Sequence, residues 1–79
     1  MYDDFKVRNT GYFTLHTAVI ELTVSQEGRN EKGSVRIAEL APDAEVDVLE
    51  FDVKKHGGTV TVQGSILADE GKADWQQRL

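Results

Sequence analysis

The stretch VRNTGYFTLHTAVIELTV (residues 7–24) joins two strand-like runs through a polar Asn-Thr-Gly turn. In the second run an apolar residue occupies every second position, which is the pattern of a strand with one buried face. Phe13 and Leu15 come before this run and fall on the odd positions, so the phase of the alternation changes near His16 and Thr17. A phase change of this kind predicts a β-bulge. The positions predicted to face the core are Ala18, Ile20, Leu22 and Val24.

The same period of two continues along most of the chain. It predicts five strands, at about residues 4–9, 13–24, 33–41, 45–54 and 59–68. A second phase change, between Val48 and Leu49, predicts another bulge in the fourth strand. The polar segment 25–34 contains two glycines and predicts a loop.

Five residues are predicted to shape the turns. Asn9 and Gly11 suit left-handed backbone positions, and the side chain of Asn9 is suited to bond the backbone of the bend. Pro42 fixes φ in the turn Ala-Pro-Asp-Ala. Gly57 and Gly58 end the segment Lys-Lys-His-Gly-Gly, which predicts a hairpin loop with positive φ at the glycines.

A chain of 79 residues predicts one small domain with a thin core. Residues 1–69 hold the predicted strands, and residues 70–79 predict a short helical turn or tail with Trp75 and Leu79 on one side. Short strands with regular turn signals favour an all-β fold, either a small antiparallel sandwich or a barrel. The predicted core comprises Ile20, Leu22, Val35, Ile37, Phe51, Val60, Val62 and Ile66.

Three short motifs carry a resemblance to a known family. They are Val-Arg-Asn-Thr-Gly at residues 7–11, Leu-Ala-Pro-Asp at residues 40–43, and a last strand that reaches Asp69. Over residues 5–69 the chain resembles the bacterial and archaeal immunoglobulin-like domains of the CARDB and FxLYD type. The resemblance implies an immunoglobulin-like antiparallel β-sandwich of five to six strands. The chain departs from the family in having Asp43 where a Pro-Gly turn is usual, and in having almost no residues before the Asn-Thr-Gly strand to form the usual first strand.

The composition disfavours several classes of protein. There is no cysteine, so neither a disulfide nor a thiolate zinc site is available. The net charge of −5 disfavours nucleic acid as a partner, because binding to phosphates relies on clustered Lys and Arg. No apolar run approaches the length of a membrane span. The acidic start of the sequence lacks the layout of a signal peptide, so we expect synthesis in the cytoplasm.

The sequence offers little catalytic chemistry. None of the common hydrolase, nucleotide-binding or metalloprotease motifs is present. His16 and His56 fall in different predicted elements, and a metal site needs three or four converging ligands. We therefore expect a protein that is not an enzyme and that holds neither metal nor cofactor.

The leading interpretation is a structural or interaction module. We expect an accessory or decoration (cement-like) protein of a larger assembly, such as a virion or a surface structure. An incomplete sandwich leaves a sheet edge open, and a partner strand or a second copy can complete it. The candidate partner-binding residues are Tyr2, Phe5, Trp75 and Leu79, which are apolar groups in polar terminal segments. The C-terminal tail either binds a neighbour or folds back over its own edge.

Two alternatives stay open. Five carboxylates, Asp43, Glu45, Asp47, Glu50 and Asp52, form either the solvated face of a strand or the docking stripe of an acidic inhibitor of a basic protein. A sandwich that binds a small ligand or a carbohydrate needs aromatic side chains clustered on one face. Only Tyr2, Tyr12 and Trp75 are available for that role.

Overall fold

The computed structural model describes all 79 residues and contains six β-strands and no helix. The expectation of an all-β fold with five to six strands is confirmed. Two antiparallel sheets form, a larger one with the order β3-β2-β5-β6 and a smaller one that pairs β1 with β4. The strands are β1 Tyr2–Arg8, β2 Leu15–Gln26, β3 Arg29–Leu40, β4 Glu45–Asp52, β5 Thr61–Ala68 and β6 Gly71–Arg78.

The predicted helical turn in residues 70–79 is wrong, because this segment forms β6 at the edge of the larger sheet. Gly71, with a φ of 144°, closes a tight hairpin that turns the chain back along β5. Gly64 has no side chain, and the ring of Trp75 fills the space beside it: a Cβ placed on Gly64 would lie 2.3 Å from that ring. Trp75 therefore packs over Gly64 on the inner face of the sheet.

The predicted loop at residues 25–34 is also wrong. β2 and β3 continue through these residues and meet in a two-residue turn at Glu27 and Gly28. Both turn residues have positive φ, 50° and 76°, as in the turns that best match the twist of a hairpin. The segment is polar because the end of the hairpin is largely exposed, so composition predicted a loop where the backbone keeps its ladder of hydrogen bonds.

The predicted bulge in the fourth strand is confirmed, whereas the first phase change coincides with an irregular residue, Thr17, without a shift in the register of β2 against β3. Thr17, with a φ of 53°, and Ala38 on β3 are the unpaired residues between the pairs His16–Glu39 and Ala18–Ile37, so neither strand gains an extra residue there. In the smaller sheet Val48 is the unpaired residue, because Lys6 pairs with Asp47 and Phe5 pairs with Leu49. The bulge at Val48 shifts the phase of β4, so that Val46 and Leu49 lie on the same side of the smaller sheet, opposite Val7 and Phe5.

The core lies between the two sheets. Five of the eight predicted core residues are buried: Ile20, Leu22, Phe51, Val60 and Val62. The other three, Val35, Ile37 and Ile66, are only half-buried. Val35 and Ile37 lie on β3, which is an edge strand of the larger sheet, and Ile66 lies on β5, which the smaller sheet leaves partly uncovered. β4 lies over β3 and β2, where a Cβ on Gly33 would lie 2.6 Å from the carbonyl oxygen of Val48.

Beyond β1 the inner face of β5 and β6 is left open. A groove of about 430 Å³ lies there, which we call the open groove. Its apolar lining is Val7, Leu15, Leu40, Ile66, Ala73 and Trp75.

Phe51 is the residue on which the smaller sheet is anchored. It is 1% exposed, its ring meets the ring of Phe5 edge-on at 6.4 Å between centroids, and the guanidinium of Arg29 lies 4.8 Å from its centroid.

We expect Phe51→Ala to lower the free energy of unfolding by about 3–5 kcal/mol, through lost burial and the cavity left behind. Urea denaturation measures this loss. Leu67→Ala is the matched control, because Leu67 is 58% exposed. Equal midpoints for the two variants would contradict the prediction.

Candidate functional site

The loop between β1 and β2, residues 9–14, lies at the end of the molecule where the two sheets meet. Arg8, the last residue of β1, pairs with Glu45 in the smaller sheet, and Leu15, the first residue of β2, pairs with Leu40 in the larger one. The loop therefore links one sheet to the other, and its shape is set by both.

Asn9 fixes this loop from inside. Its side chain is buried, its Nδ2 donates to the carbonyl oxygens of Phe13 (2.8 Å) and Leu40 (2.9 Å), and its Oδ1 accepts from the N–H of Gly11 (3.0 Å). Its backbone makes two further bonds, donating to the carbonyl of Ala44 (3.0 Å) and accepting from the N–H of Asp43 (2.7 Å). The expectation that Asn9 bonds the backbone of the bend is confirmed. Five hydrogen bonds through one residue hold the loop against the neighbouring turn.

That neighbouring turn is the predicted Ala-Pro-Asp-Ala turn. The N–H of Ala44 donates to the carbonyl of Ala41 at 3.0 Å, which closes a four-residue turn with Pro42 in its second position. Asp43 takes the third position with a φ of 66°. Glycine is the usual residue where a turn of this type needs positive φ, so Asp43 occupies the place of the glycine in a Pro-Gly turn.

Gly11 does not have the left-handed backbone that the sequence predicted, because its φ is not positive. Asn9 is not left-handed either. The side chain of Asn9 bends the loop by its hydrogen bonds, so neither residue needs a positive φ. A Cβ on Gly11 would lie 3.3 Å from the Oδ1 of Asn9, which makes close approach the reason for a small residue at this position.

Two adjacent aromatic side chains project from this loop. Tyr12 is 93% exposed and Phe13 is 79% exposed. The sequence did not predict this exposure, because Phe13 falls within the predicted strand 13–24 and Tyr12 was considered only as an aromatic residue for a ligand-binding face. A signal was present: both lie before the phase change at Thr17, outside the alternation that leads to the core.

The charges around this end of the molecule are mainly negative, and the nearby cations are already paired. The Nε of Arg8 donates to the Oε1 of Glu45 at 3.1 Å, and this bond holds the pKa of Glu45 below its ordinary value. The Nδ1 of His16 lies 2.6 Å from the Oε2 of Glu70. Asp43, Glu39 and Asp69 add negative charge near these pairs.

His16 and Glu70 also hold the irregular backbone next to Thr17, which follows the loop. The backbone N–H of His16 donates to the Oε1 of Glu70 at 2.8 Å, and the N–H of Asp69 donates to the carbonyl of His16 at 2.9 Å. The side-chain bond to Glu70 raises the pKa of His16, and the bond from the backbone of His16 lowers the pKa of Glu70. The start of β2 is thereby tied to the turn between β5 and β6.

The four predicted partner-binding residues are only partly brought together. Phe5, Trp75 and Leu79 line one cleft between β1 and β6, which continues from the open groove. Phe5 and Trp75 are half-buried, whereas Leu79 is 64% exposed. Tyr2 is 69% exposed and does not line this cleft.

A second buried amide, Gln26, fixes the opposite end. Its Nε2 donates to the carbonyls of Lys54 (2.8 Å) and Gly58 (3.1 Å), and its Oε1 accepts from the N–H of Lys54 (2.8 Å). The segment with Gly57 and Gly58 joins β4 of one sheet to β5 of the other, so it is not the predicted hairpin. Only Gly58 takes positive φ (81°); Gly57 is small because a Cβ there would lie 2.9 Å from the Nε2 of Gln26.

The carboxylates of residues 43–52 are partly paired within the chain. Besides Glu45, which bonds Arg8, Asp47 lies 3.8 Å from the Nζ of Lys6, and Asp52 lies 2.8 Å from the amino group of Met1. The bond to that amino group holds the pKa of Asp52 below its ordinary value. This pairing supports the interpretation of the stripe as the outer face of β4.

The chain was compared with protein-family models, with curated proteins and with solved structures, and none of the three comparisons gave a match. The resemblance to the CARDB and FxLYD type therefore remains a prediction. No helix in the structure is long and apolar enough to cross a membrane. No group of three or more His, Asp or Glu side chains is placed to hold a metal ion.

Asn9→Ala removes three side-chain hydrogen bonds and leaves the carbonyls of Phe13 and Leu40 and the N–H of Gly11 without their partner. We expect a loss of about 2–4 kcal/mol in the free energy of unfolding, at about 1 kcal/mol for each bond. Asn9→Asp keeps the acceptor for Gly11 and loses the two donated bonds, so its loss should exceed one half of that of Asn9→Ala. Urea denaturation ranks the variants, and a neutral Asn9→Ala would contradict the role given to this residue.

The pair of His16 and Glu70 predicts a pH-dependent contribution to stability. A raised pKa of His16 means that the contribution is complete below the ordinary value of 6.5 and is lost as the pH rises through the folded-state pKa. A lowered pKa of Glu70 means that the contribution is complete above 4.5 and is lost as the pH falls through its folded-state pKa. Glu70→Gln should therefore destabilise the protein more at about pH 5.5 than at about pH 8.5. NMR titration should show a lower pKa of His16 in this variant, and an unchanged pKa would refute the pairing.

Proposed function

We propose that this chain is a non-enzymatic protein-interaction module that docks onto a partner through the aromatic side chains of the loop 9–14. The single observation that carries the proposal is the contrast at this loop. Tyr12 and Phe13 are 93% and 79% exposed, yet the backbone beneath them is held by five hydrogen bonds of Asn9.

Energetics favour this loop as a docking site. Each aromatic side chain buries about 150–250 Å² when it is fully covered, and aromatic anchors dominate the binding energy of many interfaces. A loop that is already fixed loses little further conformational freedom when it binds. Tyr12 and Phe13 therefore offer a large gain in burial at a small entropic cost.

The charges around the loop indicate which kind of protein surface would bind it. Asp43 lies near Arg8 at the start of the loop and Glu39 and Asp69 lie near His16 beyond its end, whereas Arg8 is engaged by Glu45. A protein surface with an apolar pocket, bordered by Lys or Arg, complements this end of the molecule. The alternative of an acidic regulator also requires a basic partner. In the present proposal the acidic surface that meets this partner is the loop end of the molecule, not the stripe on β4.

Two narrower statements belong to the same proposal. The fold is an immunoglobulin-like sandwich; the support is the Asn-Thr-Gly loop, the Pro42-Asp43 turn, and two antiparallel sheets packed face to face. The larger structure that the module joins is an assembly such as a virion or a surface structure, to which it adds as a decoration protein. Support for this second statement is by analogy with other small free-standing β-modules.

The alternative of a carbohydrate-binding face has less support. Tyr2 pairs with Asp52 at one end of β1, and Tyr12 lies beyond the other end. A strand of seven residues separates them by about 20 Å. Trp75 lies on the inner face of β6 beside Gly64, so the three aromatic residues do not form one platform.

Site-specific photo-crosslinking tests the proposal. A photoreactive phenylalanine analogue replaces Phe13 in one variant, and in the control it replaces Leu67, an exposed apolar residue on β5. We expect a defined adduct in the source cells from position 13 alone, and unlabelled native chain should compete it away. The competitor Tyr12→Ser/Phe13→Ser should fail to do so, with its fold checked by circular dichroism. Equal adducts from both positions, or full competition by the double variant, would overturn the proposal.

A further inference from the structure

The two sheets have four edge strands, and they differ in their protection against pairing with another chain. β3 carries Glu31 and Glu39 at positions that share the inward parity of Val35, and inward charges oppose edge pairing. β1 carries Asp3 on the parity of Phe5 and Val7. β4 carries Glu45, Asp47, Glu50 and Asp52, a run of like charges that repels a second β4.

β6 lacks all of these protections. Its inward positions are occupied by Gly71, Ala73, Trp75 and Gln77, as their pairing with β5 shows, and none of them is charged. It contains no proline and no bulge over its eight residues. Its outward charges are of both signs, Lys72 and Arg78 with Asp74 between them. β6 is therefore the least protected of the four edges, because charges on its outer face are the one protection that it has.

We infer that two copies of this chain associate through antiparallel pairing of β6 with β6, in the register that places Gln76 opposite Gln76. A two-fold axis perpendicular to the sheet allows only registers centred on one residue. When Leu79 is counted with β6, three of these registers overlap by at least seven residues, and the charges distinguish them. Centring on Trp75 places Lys72 opposite Arg78, and centring on Asp74 places that carboxylate opposite itself. Centring on Gln76 places Asp74 opposite Arg78 of the second copy, twice.

The same register also covers apolar surface. It places Leu79, which is 64% exposed, opposite Ala73 of the second copy, and it places Trp75 opposite Gln77. The two Trp75 side chains become diagonal neighbours across the axis, within reach of aromatic contact. The result is an eight-stranded sheet, with the open grooves of the two copies facing each other over its centre. This surface is separate from the loop 9–14, so the two proposals stand or fail independently.

Cysteine trapping tests the pairing directly, because the chain has no cysteine of its own. Gln76→Cys places two thiols opposite each other at the axis, about 5 Å apart between Cβ atoms. Gln63→Cys is the matched control, since Gln63 is the neighbour of Gln76 on β5 and lies on the same outer face. Its two copies would be about 14 Å apart, too far for a disulfide. We expect mild oxidation to give a covalent dimer with Gln76→Cys alone.

Charge reversal tests the register. Asp74→Arg should weaken the dimer about tenfold or more in sedimentation equilibrium, because it places two arginines opposite each other in each of two pairs. Arg78→Asp should do the same with two carboxylates, and the double variant should restore the native dissociation constant. Circular dichroism checks that each variant is folded. If a charge variant is unfolded, the comparison of Gln76→Cys with Gln63→Cys still tests the pairing. A chain that stays monomeric at several hundred micromolar, equal trapping at positions 63 and 76, or a double variant as weak as its parents would each overturn the inference.

Discussion

The buried amide of Asn9 is the contact on which the shape of the loop end depends. Its three side-chain bonds and two backbone bonds join β1, the loop 9–14 and the turn at Pro42. Gln26 does the same at the other end, where it holds the crossing from β4 to β5. A domain of this size has too little core to fix such long crossings by packing alone. In a chain without cysteine, two buried amides take the place that disulfides hold in many other small domains.

The second constraint is the difference in the number of strands between the two sheets. Two strands cover four, so the packing is complete around Phe51 and incomplete over β5 and β6. Trp75 partly compensates by lying over Gly64, which leaves it half-buried at the margin of the open groove. The uncovered part of the larger sheet is next to its least protected edge. The same shortage of covering strands thus accounts for both the groove and the self-pairing that we infer at β6.

The structural features that could be predicted from the sequence are those that depend on the regular alternation of large aliphatic residues. The bulge in β4 and five of the eight core positions follow from it, because a change of phase is visible wherever large aliphatic residues mark the inner face. β6 escaped prediction because Trp75 is the only large apolar residue among its inward positions. The hairpin at Glu27 escaped because its residues are polar on both faces. The exposure of Tyr12 and Phe13 depends on the hydrogen bonds of Asn9. Such long-range contacts cannot be predicted from the local periodicity of the sequence.

The distribution of backbone strain gives independent support to the loop end as a recognition site. Only three residues other than glycine have positive φ, and two of them, Thr17 and Asp43, flank the loop 9–14. Such residues cost about 1–3 kcal/mol each and persist only where the surroundings hold them, a situation concentrated at functional sites. Here Glu70 bonds the backbone next to Thr17, and Asn9 accepts the N–H of Asp43. Strain held in place beneath two exposed aromatic side chains is what a preformed docking surface requires.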